Sequence, residues 1–117
     1  MIYGCPKLTN NVTFCFIEKL RPHFLLQLVL HCASIPDAVL FTRVAYDRAT
    51  ELKMSRKDML SVNQTLTMSD FYKSMTTYND HQIWQDVYRP VHCGIPLYVK
   101  LTLVTSENLL VVSFKRR

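Results

Sequence analysis

The first half of the chain spaces its apolar residues three and four positions apart, which predicts amphipathic helices. A first helix is predicted over residues 22–33, with Pro22 in its first turn and Ile35-Pro36-Asp37 after its end. Its apolar face consists of Leu25, Leu28, Val29 and Cys32. Residues 1–17 show no clear period, so we predict an N-terminal arm there and one domain over residues 18–117.

Two further helices are predicted from the residues that begin them. Thr42 can cap a helix that runs through Leu52, directly after a short buried strand over residues 38–41. Ser55 is followed three residues later by Asp58, which is the spacing of a capping box, and this predicts a helix to about Leu66. Its buried face is expected to consist of Met59, Val62 and Leu66.

After residue 70 the period changes to two, which predicts β-strands. The strands over residues 71–77 and 83–88 flank the turn pair Asn79-Asp80, so they are expected to form a hairpin. Residues 97–105 and 109–115 flank a second turn and predict a second hairpin.

The second hairpin allows its register to be predicted. One face is expected to point to the core through Leu97, Val99, Leu101 and Leu103. A turn centred on residues 106–107 places Tyr98 opposite Lys115 and Lys100 opposite Ser113. A phenol and two ammonium groups would then share the other face. An ordinary solvated face, on which Tyr98 packs over lysine stems, explains the same pattern.

Composition narrows the classes of function. The 117 residues are 49% hydrophobic and carry 14 basic against 9 acidic side chains, a formal charge of +5 that suits binding to polyanions such as nucleic acid. Only Gly4 and Gly94 occur, which excludes glycine-rich nucleotide-binding loops. The four cysteines lack metal-ligand spacing, so free thiols and no metal or cofactor are expected. Neither a secretory signal nor a membrane span is predicted, so we expect a cytoplasmic protein.

The polar face of the second hairpin carries groups that suit cleavage of RNA. Attack of a ribose 2′-hydroxyl on the adjacent phosphate needs a proton acceptor, a proton donor and positive charge on the transition state. Tyrosine and lysine can exchange protons when their surroundings shift their pKa values. Aromatic residues that could stack on unpaired bases interleave with Lys73 and Arg89: Tyr72, Tyr78, Trp84 and Tyr88. Core packing is the alternative for these rings, and Trp84 is the first candidate for it.

Two runs of sequence carry a family resemblance. The chain reads DFYKSMTTYNDH over residues 70–81 and IWQDVYRP over residues 83–90, and it closely resembles the MqsR family of bacterial mRNA-interferase toxins there. The resemblance continues through LYVKLT over residues 97–102 and VVSFK over residues 111–115. It is weaker upstream and covers residues 18–117 in all.

The resemblance implies an α+β domain with N-terminal helices packed on a twisted, mostly antiparallel, RelE-like sheet. It also implies a toxin of a type II toxin–antitoxin system that cleaves mRNA near GCU-type triplets without a metal or cofactor and thereby inhibits translation. Attack by the 2′-hydroxyl would leave a 2′,3′-cyclic phosphate. The implied partner is an antitoxin of the MqsA type, which carries zinc itself.

The catalytic residues of the family fall on Lys73, Gln85, Tyr98 and Lys115. The two lysines are expected to stabilise charge on the phosphate, the tyrosine to take part in proton transfer, and the glutamine to orient the phosphate or the 2′-hydroxyl. The residues expected to contact RNA are Tyr72, Met75 and Arg89. A decayed toxin that only binds RNA or an antitoxin is the alternative, but such a protein has no reason to retain all four catalytic residues.

Overall fold

In the part of the chain that the structure describes, the helices pack on one face of a mostly antiparallel sheet. The computed structural model describes residues 17–77, 80 and 82–117, so the predicted arm lies outside the described residues except for Ile17. The elements are β1 (Glu18–Lys19), α1 (Leu26–Ala33), β2 (Val39–Phe41), α2 (Arg43–Glu51), α3 (Arg56–Gln64), β3 (Phe71–Thr76), β4 (Trp84–Tyr88), β5 (Val91–His92), β6 (Ile95–Thr105) and β7 (Asn108–Arg116).

The strands follow the order β1-β3-β4-β6-β7-β2, and β5 pairs with β6 outside this order. Among these strands, β2 and β7 run parallel and every other pair is antiparallel. The predicted α+β fold with a mostly antiparallel sheet is therefore confirmed. The first hairpin is also found, although Tyr78, Asn79 and His81 at its turn lie outside the described residues.

Both predicted helix caps are present. The Thr42 side chain accepts a hydrogen bond from the amide of Ala45 at 3.1 Å and donates one to the carbonyl of Val112 at 2.8 Å, which ties α2 to β7. Ser55 and Asp58 form the complete capping box of α3. These bonds satisfy backbone amides that have no partner within the helix. As predicted, α3 and the residues after it bury Met59, Val62 and Leu66.

The predicted start of α1 at Pro22 is wrong, because the helix begins at Leu26. The amides of His23 and Phe24 donate instead to the buried carboxylate of Asp86, at 3.0–3.1 Å and 3.0 Å. These bonds hold the preceding segment against β4. Leu25 is therefore the residue just before the helix, and its side chain is exposed, whereas it was predicted on the apolar face. Val29 and Cys32 face the core as predicted.

For Trp84 and Tyr88, the sequence left open whether the ring packs in the core or is available to stack on RNA. Trp84, the first candidate for the core, is only half-buried, and its ring stacks on His23 at 5.2 Å beneath the ammonium of Lys19 at 4.1 Å. Tyr88 is fully buried and packs edge to face on Phe71, so it fills the core and cannot stack on RNA. The short strands β1 and β5 were not predicted, because two residues are too few to show a period.

The predicted register of the second hairpin is confirmed where it matters for the site. Tyr98 lies opposite Lys115, and Lys100 lies opposite Ser113. The ladder between this point and the turn contains two irregularities, one after Lys100 and one after Leu103. The first irregularity leaves one residue of β7 without a cross-strand partner, and the second leaves one residue of β6 without a partner. The two shifts in register therefore cancel.

Candidate active site

The face of the sheet opposite the helices collects the polar residues of four strands. On the helix side, Tyr88, Val99 and Phe114 align across β4, β6 and β7 and are fully buried. Their neighbours in each strand point the other way, because side chains alternate along a strand. We call this other surface the open face; its polar and charged residues include Glu18, Lys73, Gln85, Tyr98, Lys100, Ser113 and Lys115.

At one end of the open face, Tyr98 and Lys115 are direct cross-strand partners. The ammonium of Lys115 lies 5.1 Å from the centre of the Tyr98 ring. Burial raises the pKa of the Tyr98 phenol, although the nearby positive charges of Lys73 and Arg89 partly oppose this shift. Tyr98 therefore carries its proton at neutral pH and can donate it.

Tyr72 and Arg89 extend this end of the open face. The pairing of β3 with β4 shifts between Phe71 and Lys73, so Tyr72 occupies a bulge. The guanidinium of Arg89 lies 4.3 Å from the centre of the Tyr72 ring, and the Lys73 ammonium lies 5.4 Å from it. Tyr72 is 44% exposed, so its ring is accessible to a ligand.

A row of directly opposed residues crosses the middle of the open face: Lys73, Val87, Lys100 and Ser113. Val87 is fully buried, although it does not belong to the core beneath the helices. The Lys73 ammonium donates to the Glu18 carboxylate of the edge strand at 2.5 Å. Burial lowers the pKa of Lys100, and the positive charges of Lys115 and Lys73 lower it further.

The third part of the open face lies one step further along the strands. Glu18 is opposite Met75, and Met75 is opposite Gln85. Val87 and Lys100 are direct cross-strand partners. Gln85 lies two residues from this pair on one side, and Tyr98 lies two residues from it on the opposite side. At about 3.3 Å per residue, the backbones at Gln85 and Tyr98 are roughly 13 Å apart along the strands. Gln85 therefore lies near Lys73 but at the opposite end from Tyr98.

The structure thus brings all seven predicted residues to one surface, in an order that the sequence did not reveal. Tyr98 and Lys115 lie at one end with Tyr72 and Arg89 beside them, Lys73 lies in the middle row, and Met75 and Gln85 lie at the other end. Two charged residues were not assigned to the site from the sequence. Lys100 was placed on the correct face by the register of β6, whereas Glu18, which belongs to the weaker upstream resemblance, was given no role because a strand of two residues shows no period.

The charge on this surface suits a phosphodiester better than a metal ion. Three lysines and an arginine surround Tyr98, and Glu18 is the acidic residue of the open face. Within the described residues, no group of three or more histidine, cysteine, aspartate or glutamate side chains is placed to hold a metal ion. Cys32 and Cys93 are free thiols. No helix found in those residues is long and apolar enough to span a bilayer.

Comparison with known proteins agrees with this geometry. Residues 21–116 match the family model described as "Motility quorum-sensing regulator, toxin of MqsA". The "mRNA interferase toxin MqsR" of Escherichia coli (strain K12) is 44% identical over 101 residues, which span 86% of this chain and all of that protein. The segment matched by the family model includes the residues of the open face except Glu18, which precedes it. The chain therefore belongs to the MqsR toxin family.

Proposed function

We propose that this protein is a toxin that acts as an mRNA interferase, a sequence-selective endoribonuclease that inhibits translation. The observation that carries the proposal is the convergence of Lys73, Tyr98 and Lys115 from three strands onto one accessible surface. Family membership supports it, because the relative from Escherichia coli bears the name of an mRNA interferase.

Each group on the open face has a chemical role in this proposal. The ammonium groups of Lys73 and Lys115 stabilise the negative charge that develops on the phosphate as the 2′-hydroxyl attacks. The protonated Tyr98 phenol donates its proton to the leaving 5′-oxygen. Gln85, at the far end, orients the phosphate or 2′-hydroxyl of the bound RNA through its amide.

The remaining residues hold the RNA. The Tyr72 ring is exposed on one side of the open face with the Arg89 guanidinium against it, an arrangement that suits stacking of an unpaired base. Met75 contributes an apolar contact beside Gln85. We propose that these contacts select GCU-type triplets, that the reaction needs neither metal nor cofactor, and that it takes place in the cytoplasm.

The proposed protein partner is an antitoxin of the MqsA type, as the description of the matching family indicates. We propose that the zinc belongs to that antitoxin. Its binding would neutralise the toxin.

The test is analysis of the RNA ends produced by the purified protein. A short RNA that contains one GCU triplet is incubated with the wild type, with Lys73→Ala, and with the matched control Lys57→Ala, whose side chain is exposed on α3. We expect cleavage in the presence of a chelator, products with a 2′,3′-cyclic phosphate and a 5′-hydroxyl, and a loss of at least about 100-fold in rate only for Lys73→Ala.

Products with a 5′-phosphate, cleavage that a chelator abolishes, or full activity of Lys73→Ala would overturn the proposed reaction. RNA that binds to the wild type and stays intact would instead indicate the alternative, a toxin that has lost catalysis and only binds RNA or its antitoxin. Growth arrest on induced expression, relieved by the co-expressed antitoxin, tests the same distinction in cells.

A further inference from the structure

We infer that Lys100 is a further catalytic residue of the open face, and that its amine accepts the proton of the attacking ribose 2′-hydroxyl. The inference rests on the proposed function, since it assigns a step of the same reaction. Lys100 occupies the middle of the open face, on which the four catalytic residues implied by the family resemblance also lie.

Lys100 is surrounded by the groups that would handle the phosphate. Lys100 lies in one cross-strand row with Lys73 of β3 and Ser113 of β7, and Lys115 is two residues from Ser113 on the same side of β7. Tyr98 is two residues away in the same strand and points to the same side. A phosphate that contacts both Lys73 and Lys115 would lie over Lys100, with the phenol of Tyr98 on one side.

The surroundings of Lys100 do not neutralise its charge. Among the described residues, no hydrogen bond or ion pair reaches its ammonium, and Glu18, the acidic group of the open face, is bonded to Lys73. On β4 the facing residues are Val87 and Gln85, which do not titrate. A half-buried ammonium between two other cations is unfavourable unless an anion binds or the proton leaves.

The direction of the pKa shift agrees with this geometry. Burial lowers the pKa of Lys100, and both Lys115 and Lys73 act in the same sense. A lower pKa makes the neutral amine easier to form, and this amine has the lone pair that a proton acceptor needs. Tyr98 is shifted in the opposite direction and keeps its proton, so the two groups are suited to opposite roles.

The resulting step balances. The Lys100 nitrogen takes the proton of the 2′-hydroxyl while that oxygen bonds to phosphorus, and the bond from phosphorus to the 5′-oxygen breaks. The 5′-oxygen leaves with the proton of Tyr98, which gives a 2′,3′-cyclic phosphate and a free 5′-hydroxyl. Lys100 is then an ammonium and Tyr98 a phenolate, and transfer of one proton between them, directly or through water, restores both.

The experiment compares Lys100→Arg with Lys100→Met by single-turnover cleavage at saturating protein from pH 5.5 to pH 9. Arginine keeps the positive charge but does not give up its proton, so it separates a proton acceptor from a phosphate-binding cation. We expect both variants to lose about 100-fold or more in rate. The rise of rate with pH on the acid side should also disappear, while Lys57→Met behaves as the wild type.

The results that would overturn the inference are distinct from those that test the proposed function. Lys100→Arg within tenfold of the wild-type rate would show that Lys100 supplies only charge, and a wild-type rate for Lys100→Met would show that it supplies nothing. Both results presuppose a wild type that cleaves RNA, whereas failure of the wild type to cleave refutes the proposed function itself. Thermal unfolding of each variant checks that it folds, and Lys100→Arg alone decides the question if Lys100→Met does not.

Discussion

Glu18 and Lys73 join the edge of the sheet to the centre of the open face. The carboxylate of Glu18 in β1 accepts a hydrogen bond from the Lys73 ammonium in β3, and both side chains are less than one-third exposed. A phosphate that binds to Lys73 must therefore compete with this carboxylate or share the ammonium with it. We therefore expect this ion pair to influence both the position of Lys73 and the affinity of the surface for anions.

Replacement of the Glu18 carboxylate should strengthen RNA binding. Glu18→Gln keeps the size of the side chain but removes one negative charge, so we expect the Kd for a short RNA at low salt to fall by about three- to tenfold. Binding is measured by fluorescence anisotropy at two salt concentrations. Glu107→Gln, in the exposed turn after β6, makes the same charge change away from the site and should have little effect. Weaker binding by Glu18→Gln would mean that Glu18 serves mainly to position Lys73.

Removal of the Tyr98 hydroxyl should affect the chemical step and not binding. Because burial raises the pKa of Tyr98, its phenol is neutral at pH 7 and can act as the proton donor. We expect Tyr98→Phe to lower the single-turnover rate by about 10²- to 10⁴-fold while the Kd for RNA changes less than about threefold. The ring that packs against Lys115 is kept in this variant. A rate within a few-fold of the wild type would exclude Tyr98 as the donor.

The buried carboxylate of Asp86 should be a major contributor to stability. Its two oxygens accept three hydrogen bonds from the amides of His23 and Phe24, and Asp86→Ala leaves these amides without partners. We expect a loss of about 2–4 kcal/mol in the free energy of unfolding, measured with urea. Asp47→Ala removes an exposed carboxylate that pairs with Arg43 and should cost less than about 1 kcal/mol. Equal losses in the two variants would contradict this interpretation.

Protonation of His23 should loosen the contacts around Trp84. Burial and the positive charge of Lys19 lower the pKa of His23, and its Nδ1 atom lies 2.8 Å from the Lys19 ammonium, where only an unprotonated nitrogen can accept a hydrogen bond. The folded-state pKa lies below the unfolded value of about 6.5, so this stabilisation is present above pH 6.5 and is lost as the pH falls through the folded-state pKa.

The chain has a single tryptophan, so its fluorescence reports on this site directly. We expect Trp84 emission to change in one step below pH 6.5 in the wild type, while the protein remains folded by circular dichroism. His23→Gln should remove this step. A step that persists in His23→Gln would assign it to another group.

Local rules were sufficient for much of the fold. The caps at Thr42 and Ser55 act within four residues, and the alternation along β6 is long enough to fix both its buried side and the partner of Tyr98. The start of α1 could not be predicted in this way, because Asp86 is 62 residues from the nearer amide that it binds. Trp84 was misassigned for a related reason, since its partners Lys19 and His23 come from the edge strand and the segment after it.

In the candidate site, too, some features could be predicted from the sequence and others depend on contacts between distant segments. The family resemblance supplied Lys73, Gln85, Tyr98 and Lys115 by sequence position, and the register supplied the facing of Tyr98 and Lys115. Neither gave the pairing of β3 with β4, which sets the distance of Gln85 from Tyr98. The isolation of Lys100 among cations also required the three-dimensional structure, because its neighbours lie on different strands.

Strand β6 pairs with β4, β5 and β7, and it carries both Tyr98 and Lys100. Backbone amides in so central a strand exchange their hydrogens only when most of the domain unfolds, whereas the two-residue strand β1 can detach at little cost. We therefore expect the groups proposed to move protons to lie on a slowly opening strand, and the carboxylate bonded to Lys73 to lie on a strand that opens more readily. If β1 frays, we expect the anion-binding strength of the open face to change while the geometry of proton transfer stays fixed.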